Sequence, residues 1–165
     1  MNRITMVLFG AILLFASCKK EDKCPYNESG LSATAAERTY LQTYMTNNSL
    51  TATEHSSGVF YNITVPGTGS SPSICSNIKV FYEGFVLGGA RFDGNIGTSG
   101  NNFTLGELIV GWQKVLPLLK SGGKITLYIP PSLGYGPNDV RGSGGVVVIP
   151  ANSYLKFEIE LVSIQ

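Results

Sequence analysis

Apolar and polar positions alternate with a period of two through most of this 165-residue chain beyond Gly58. In "YLKFEIELVSI" (154–164), Leu155, Phe157, Ile159 and Leu161 point one way, and Lys156, Glu158 and Glu160 the other. "VFYNITV" (59–65), which ends at the turn signal Pro66-Gly67, "SNIKVFYEGFVL" (76–87) and "KITLYI" (124–129) read the same way. Strands with one wet face favour antiparallel pairing. Within "SNIKVFYEGFVL", Ile78, Val80, Tyr82 and Val86 share one face, while Phe81 and Phe85 share the other with Lys79 and Glu83.

Two segments carry the helical period instead. Residues 34–47 place Leu41, Tyr44 and Met45 on one face. Leu108, Trp112, Val115 and Leu119, spaced 4, 3 and 4, form an apolar stripe. Pro117 costs a backbone bond there, so this helix is short or begins only near Gln113. Residues 47–58 read as a loop, with His55 solvated in it. The pattern predicts an α+β fold: an antiparallel sheet with one packed short helix and an N-terminal helical extension.

Composition narrows the chemistry. Twenty glycines and eight prolines suit a β-rich, turn-rich chain, and a net charge of +1 gives no basic footprint for nucleic acid. No GxGxxG, P-loop, HExxH or CxxC motif is present, so no cofactor and no metal is expected.

The first residues read as an export signal. Arg3 precedes the 13-residue apolar run "ITMVLFGAILLFA", too short for a confident membrane span. The run leads into "FASC", which resembles the lipobox of bacterial lipoproteins, whose cysteine is acylated. That resemblance implies a signal peptide over 1–17, lipid on Cys18 and a bilayer as partner. The protein is then held in the cell envelope, at the outer membrane, facing the periplasm or the surface. "KKEDK" (19–23) reads as a polar spacer. Cys24 and Cys75 remain, an even pair in an oxidising compartment, and are expected to be joined. The bridge should draw residues 24–50 over the outer face of the sheet, covering Phe81 and Phe85.

Four landmarks follow in order: "VFYEGFVLGGARFDG", "FTLGELIVGW", "GGKITLYIPPSLGYG" and "VIPANSYLKFEIEL". This order resembles the FKBP-type peptidyl-prolyl cis–trans isomerases, over 58–165. The resemblance implies a bent antiparallel sheet wrapped on the short helix, with an apolar pocket between them. It implies Tyr82, Phe92, Asp93, Trp112, Tyr135 and Phe157 as catalytic residues, with Trp112 as the pocket floor. Leu108, Ile109, Phe103, Val148 and Ile149 are implied in substrate binding, with Val147 as the alternative to Val148 on the pocket side. Residues 18–57 are left as tether and helical extension.

Such an enzyme breaks no bond, so the absence of an evident nucleophile is no obstacle. The barrier to amide rotation is about 18–20 kcal/mol. A planar amide is more dipolar than a twisted one, so a dry aromatic pocket raises the planar form more. Asp93 is expected to accept from the Tyr82 hydroxyl rather than act as a base. The implied partners are proline-containing polypeptides and macrolide inhibitors. The alternative is a chaperone module that binds proline-containing chains with little turnover.

Overall fold

The computed structural model describes residues 24–165. The export signal, Cys18 and the spacer 19–23 lie outside the described residues. The described residues form nine strands: β1 (Thr53–Glu54), β2 (Phe60–Val65), β3 (Asn77–Val86), β4 (Arg91–Asn95), β5 (Asn101–Thr104), β6 (Gly123–Ile129), β7 (Val140–Arg141), β8 (Val147–Ile149) and β9 (Leu155–Ile164). Among the same residues are two α-helices, α1 (Ala35–Asn47) and α2 (Val110–Val115).

Seven strands form one antiparallel sheet, six of them in the order β1-β2-β6-β9-β3-β4 and the seventh, β5, also on β3. β5 pairs with Asn77–Val80 of β3 and β4 with Tyr82–Phe85, so the two follow one another along a single edge. β7 and β8 make a separate hairpin. Register sorts side chains into rows. Ile63, Ile125, Ile159 and Tyr82 lie across β2, β6, β9 and β3 on the inner face. Phe60, Tyr128, Lys156 and Phe85 lie across them on the outer face.

The inner face packs on α2 and its flanks. Ile78, Val80, Ile125, Leu127, Leu155, Ile159 and Leu161 are buried there with Trp112, Val115, Leu116 and Leu119. α2 is short, and a 3-10 turn at Leu116–Leu118 follows with Pro117 in it. Leu108 and Leu119 flank the helix rather than belong to it. Gly111 sets the helix close to β6, since a Cβ there would lie 2.6 Å from Ile129 Cγ2.

α1 begins at a capping box: the Thr34 side chain accepts from the Glu37 N–H, and Glu37 accepts from the Thr34 N–H. Its buried Leu41 and Met45 pack on Phe60 and Tyr128, so α1 covers one end of the outer face. Ala33, just before it, enters the main core and donates its N–H to Ser57 O at 2.8 Å. Gly58 allows that approach, with φ +91° and no side chain where Ala33 sits.

Several expectations are corrected here. Residues 47–58 are not wholly loop; β1 pairs with Phe60 and Tyr61, a bridge too short to show a period. His55 is half-buried rather than solvated. Its Nδ1 accepts from the Ser57 N–H at 3.1 Å and lies 2.9 Å from the Ser57 hydroxyl. Cys24 and Cys75 are joined, with Cα atoms 5.7 Å apart. The bridge does not lead to the outer face, because β3 starts only at Asn77 and Cys75 lies in the turn before it. The chain after Cys24 runs beside the 3-10 turn Leu105–Glu107, where the Tyr26 ring lies over Gly106 and its hydroxyl donates to Glu107 at 2.6 Å. Phe85 is met by the Lys156 ammonium, 4.7 Å from its ring centroid, and Phe81 by the β4–β5 loop at Gly100.

Candidate active site

Where the bent end of the sheet meets α2, a cavity of about 170 Å³ opens. It is smaller than the roughly 300–1,000 Å³ clefts that hold drug-sized ligands, and so suits one residue-sized group. Tyr82 from β3, Phe103 from β5, Trp112 from α2, Phe157 from β9 and Tyr135 from the β6–β7 connection line it. Leu108 and Ile109 close it from the lead-in to α2.

The rings form one continuous series of edge-to-face contacts. Phe103 meets Tyr82 at 5.8 Å, Tyr82 meets Trp112 at 5.6 Å, and Trp112 meets Phe157 at 5.3 Å. Phe157 meets Phe92 at 5.6 Å, and Phe92 meets Tyr135 at 6.3 Å. Edge-to-face pairs gain beyond their buried area, so each ring fixes its neighbour. Phe92 enters through this series and is not itself among the residues lining the cavity.

Asp93 reaches the cavity because β4 is bulged. Gly84 pairs with Asp93 and Phe85 with Arg91, leaving Phe92 unpaired between them. In a regular strand the adjacent Phe92 and Asp93 would point to opposite faces. The bulge lets Phe92 join the rings while the Asp93 Oδ2 accepts from the Tyr82 hydroxyl at 2.8 Å. Asp93 Oδ1 accepts from the Gly94 N–H at 2.8 Å, so the carboxylate also caps its own turn. Burial, and then the Asp93 carboxylate, push the Tyr82 hydroxyl far above the ordinary phenol range. Tyr135 is likewise raised, by burial first and by the Asp93 charge second. Both phenols therefore stay protonated and able to donate.

Three donors at the cavity lack protein acceptors among the described residues. The Tyr135 hydroxyl and the Ile109 N–H make no hydrogen bond, and the Trp112 Nε1–H is buried without one. Gln113 holds the Leu108–Ile109 wall from behind, its Nε2 donating to Leu108 O at 2.7 Å and Gly106 O at 3.1 Å.

Of the residues expected at the pocket, Tyr82, Asp93, Phe103, Leu108, Ile109, Trp112, Tyr135 and Phe157 are brought together. Val148 and Ile149 are not. Ile149 is buried in the main core opposite Val140, and the β7–β8 hairpin turns Val146, Val147 and Val148 to solvent. Gly84 is the residue the sequence reading missed. It faces the rings, and a Cβ there would lie 2.7 Å from Phe157 Cε1 and 2.8 Å from Phe92 Cζ. Its signal was available: a glycine inside a strand often marks a close approach.

Residues 69–162 match the model of the family described as FKBP-type peptidyl-prolyl cis-trans isomerase. A protein named FKBP-type peptidyl-prolyl cis-trans isomerase FkpA from Buchnera aphidicola subsp. Schizaphis graminum is 42% identical over 67% of this chain. The protein of the same name from Escherichia coli K12 is 38% identical over 67% of it. The matched stretch is 42% and 39% of those relatives' own lengths, so the chain spans about two fifths of each. Among solved structures, FkpA from Escherichia coli is similar with a TM-score of 0.66 at 31% identity, over 79% of this chain and 60% of that one. A peptidyl-prolyl cis-trans isomerase from Pseudomonas syringae is similar with a TM-score of 0.65 at 27% identity, over 83% of this chain and 99% of that one.

Proposed function

The chain belongs to the FKBP-type peptidyl-prolyl cis-trans isomerase family, and from that premise we propose that it accelerates rotation about X-Pro bonds in exported polypeptides. The observation that carries this reading is the residue-sized cavity walled by edge-to-face rings and rimmed by unpaired donors. The prolyl ring sits on Trp112 between Tyr82, Phe103 and Phe157, with Phe92 backing Phe157. The Ile109 N–H and the Tyr135 hydroxyl donate to substrate carbonyls next to the proline. Asp93 holds the Tyr82 ring in place and adds negative potential where the amide carbonyl turns.

Catalysis here is a matter of environment and position. The planar X-Pro amide, with the larger dipole, loses more hydration in the apolar cavity than the twisted amide does. Donors fixed where the twisting carbonyl points cost no reorganisation. A rate gain of about 10⁵ needs about 7 kcal/mol at about 1.36 kcal/mol per tenfold.

The isomerase unit is assigned to 58–165, with 18–57 as tether and extension. The apolar run and "FASC" support cleavage before Cys18 and acylation there, which anchors the unit to a membrane of the envelope. The Cys24–Cys75 bridge supports an oxidising compartment. Mass spectrometry of the mature N-terminus tests the anchor, and an unmodified terminus elsewhere refutes it.

Exchange rates by NMR on an Ala-Pro-Phe-type peptide test the activity. Acceleration that is lost in Trp112→Ala, and blocked by a macrolide that fills the cavity, is expected. Peptide binding with exchange at the uncatalysed rate would establish the chaperone alternative instead. Trp112 is the sole tryptophan, so its fluorescence reports occupancy independently of turnover.

A further inference from the structure

Between β6 and β9 the chain leaves the sheet, and this excursion carries Tyr135. Both of its ends are tied to one helix that lies outside the family match. At the start, Ser132 donates its N–H to Glu37 Oε1 and its hydroxyl to Glu37 Oε2, each at 2.9 Å. At the end, Tyr154 stacks on Tyr40 with ring centroids 4.0 Å apart. Glu37 and Tyr40 are three residues apart on α1 and share a face.

We infer that Glu37 is a positioning residue for Tyr135, so that α1 forms part of the frame of the pocket rim. The inference rests on the isomerase reading of that pocket. Ser132 belongs to the 3-10 turn Pro131–Leu133, and Gly134 and Gly136 both donate their N–H to Pro131 O. Tyr135 lies between those two amides, so the turn that Glu37 grips sets where its ring stands. Tyr135 itself is 41% exposed, and its hydroxyl has no partner among the described residues. The edge of Phe92 alone does not fix its depth.

The same carboxylate closes the α1 capping box. Glu37 Oε2 accepts from the Thr34 N–H at 2.8 Å, the Thr34 hydroxyl at 3.0 Å and the Ser132 hydroxyl. The start of the helix and the rim therefore share one ionised acceptor. Burial pushes the Glu37 carboxyl up, but hydrogen bonds from Thr34 and Ser132 outweigh it and hold the group below the usual carboxylate range. Hydrogen bonds to an ionised acceptor are roughly twice as strong as neutral ones.

The test compares Glu37→Ala, Ser132→Ala and Thr34→Ala in the full chain. Glu37→Ala is expected to raise KM by about three- to tenfold while kcat holds within about twofold, the effect of losing one to two such hydrogen bonds. Amide exchange at Leu133, Gly134 and Gly136 quickens, while Leu127 and Ile159 in the sheet keep their protection. Thr34→Ala weakens the helix start without touching Ser132, so it leaves KM and those amides near wild type. Glu37→Ala and Ser132→Ala combined act less than additively. Wild-type KM and unchanged exchange in Glu37→Ala overturn the inference, as does a Thr34→Ala variant that matches it. An inactive wild type refutes the isomerase reading alone, because amide exchange still judges the tie.

Discussion

The Tyr82 hydroxyl donates to Asp93 across the β3–β4 hairpin, at 2.8 Å and over a separation of 11 residues. Asp93→Ala leaves this raised, protonated phenol without an acceptor. It is expected to lower kcat/KM about tenfold and stability by about 1 kcal/mol. Asp93→Asn keeps an acceptor oxygen and, although a neutral bond is roughly half as strong, should lose less than the Ala variant, about threefold against wild type. Exchange NMR and urea unfolding measure both. An equal loss in Asn and Ala would mean that the charge, not the hydrogen bond, matters.

Gly84 leaves the space into which Phe92 and Phe157 close. Gly84→Ala is expected to destabilise by about 1–3 kcal/mol, the usual cost of overpacking. The rings must move toward the cavity, so peptide affinity falls as well. Titration of Trp112 fluorescence with a proline peptide reads the affinity. Unaltered binding would show that the rings yield away from the pocket.

His55 makes stability depend on pH. Burial, then the Lys114 and Arg38 charges, depress its pKa below the ordinary value. Its Nδ1 accepts from the Ser57 N–H beside the buried Ser57 hydroxyl, and a proton on Nδ1 removes that acceptor. The unfolded chain takes up the proton first, near pH 6.5. The contribution is thus complete above about pH 6.5 and is lost as pH falls through the lower folded value. Urea midpoints should drop more between pH 7.5 and 5 in the wild type than in His55→Ala. Parallel midpoints in the two would remove His55 from the account.

The Cys24–Cys75 bridge closes a separation of 51 residues. Replacing both cysteines by serine is expected to cost about 2–4 kcal/mol, most of it through the unfolded chain. The Tyr26–Glu107 contact should loosen with it, since the bridge ties the chain two residues before Tyr26 to the turn that precedes β3. Calorimetry on oxidised protein and on the double variant measures this. Equal melting temperatures would show that the bridge constrains nothing.

The sheet was legible where a period ran long enough. β3 and β9 bury Ile78, Val80, Tyr82, Leu155, Phe157, Ile159 and Leu161 as alternation requires. Trp112 sits on the core side of α2 as the stripe requires. β4 and β5 are too short for a period to speak, and the bulge at Phe92 depends on a partner strand that no local pattern names. Val148 and Ile149 fall outside the lining of the cavity for a related reason. The path of a glycine-rich hairpin follows from ties at its base, such as Asp139 accepting from the Ala151 N–H, and those ties are far apart in sequence. The course of residues 24–33 was hidden too, because the partners of Tyr26 and Ala33 lie in distant segments.

The position of β9 bears on the order in which a growing chain can acquire its shape. β6 and β3 do not touch as strands; β9 lies between them and is the last of the nine to be synthesised. A chain halted before Leu155 holds β1, β2 and β6 as one open fragment and β3, β4 and β5 as another, each with a bare edge. Phe157, the link between Trp112 and Phe92, is missing from it as well. Closure of the sheet therefore waits for β9, and until that strand is in place the two fragments have no common edge along which to join.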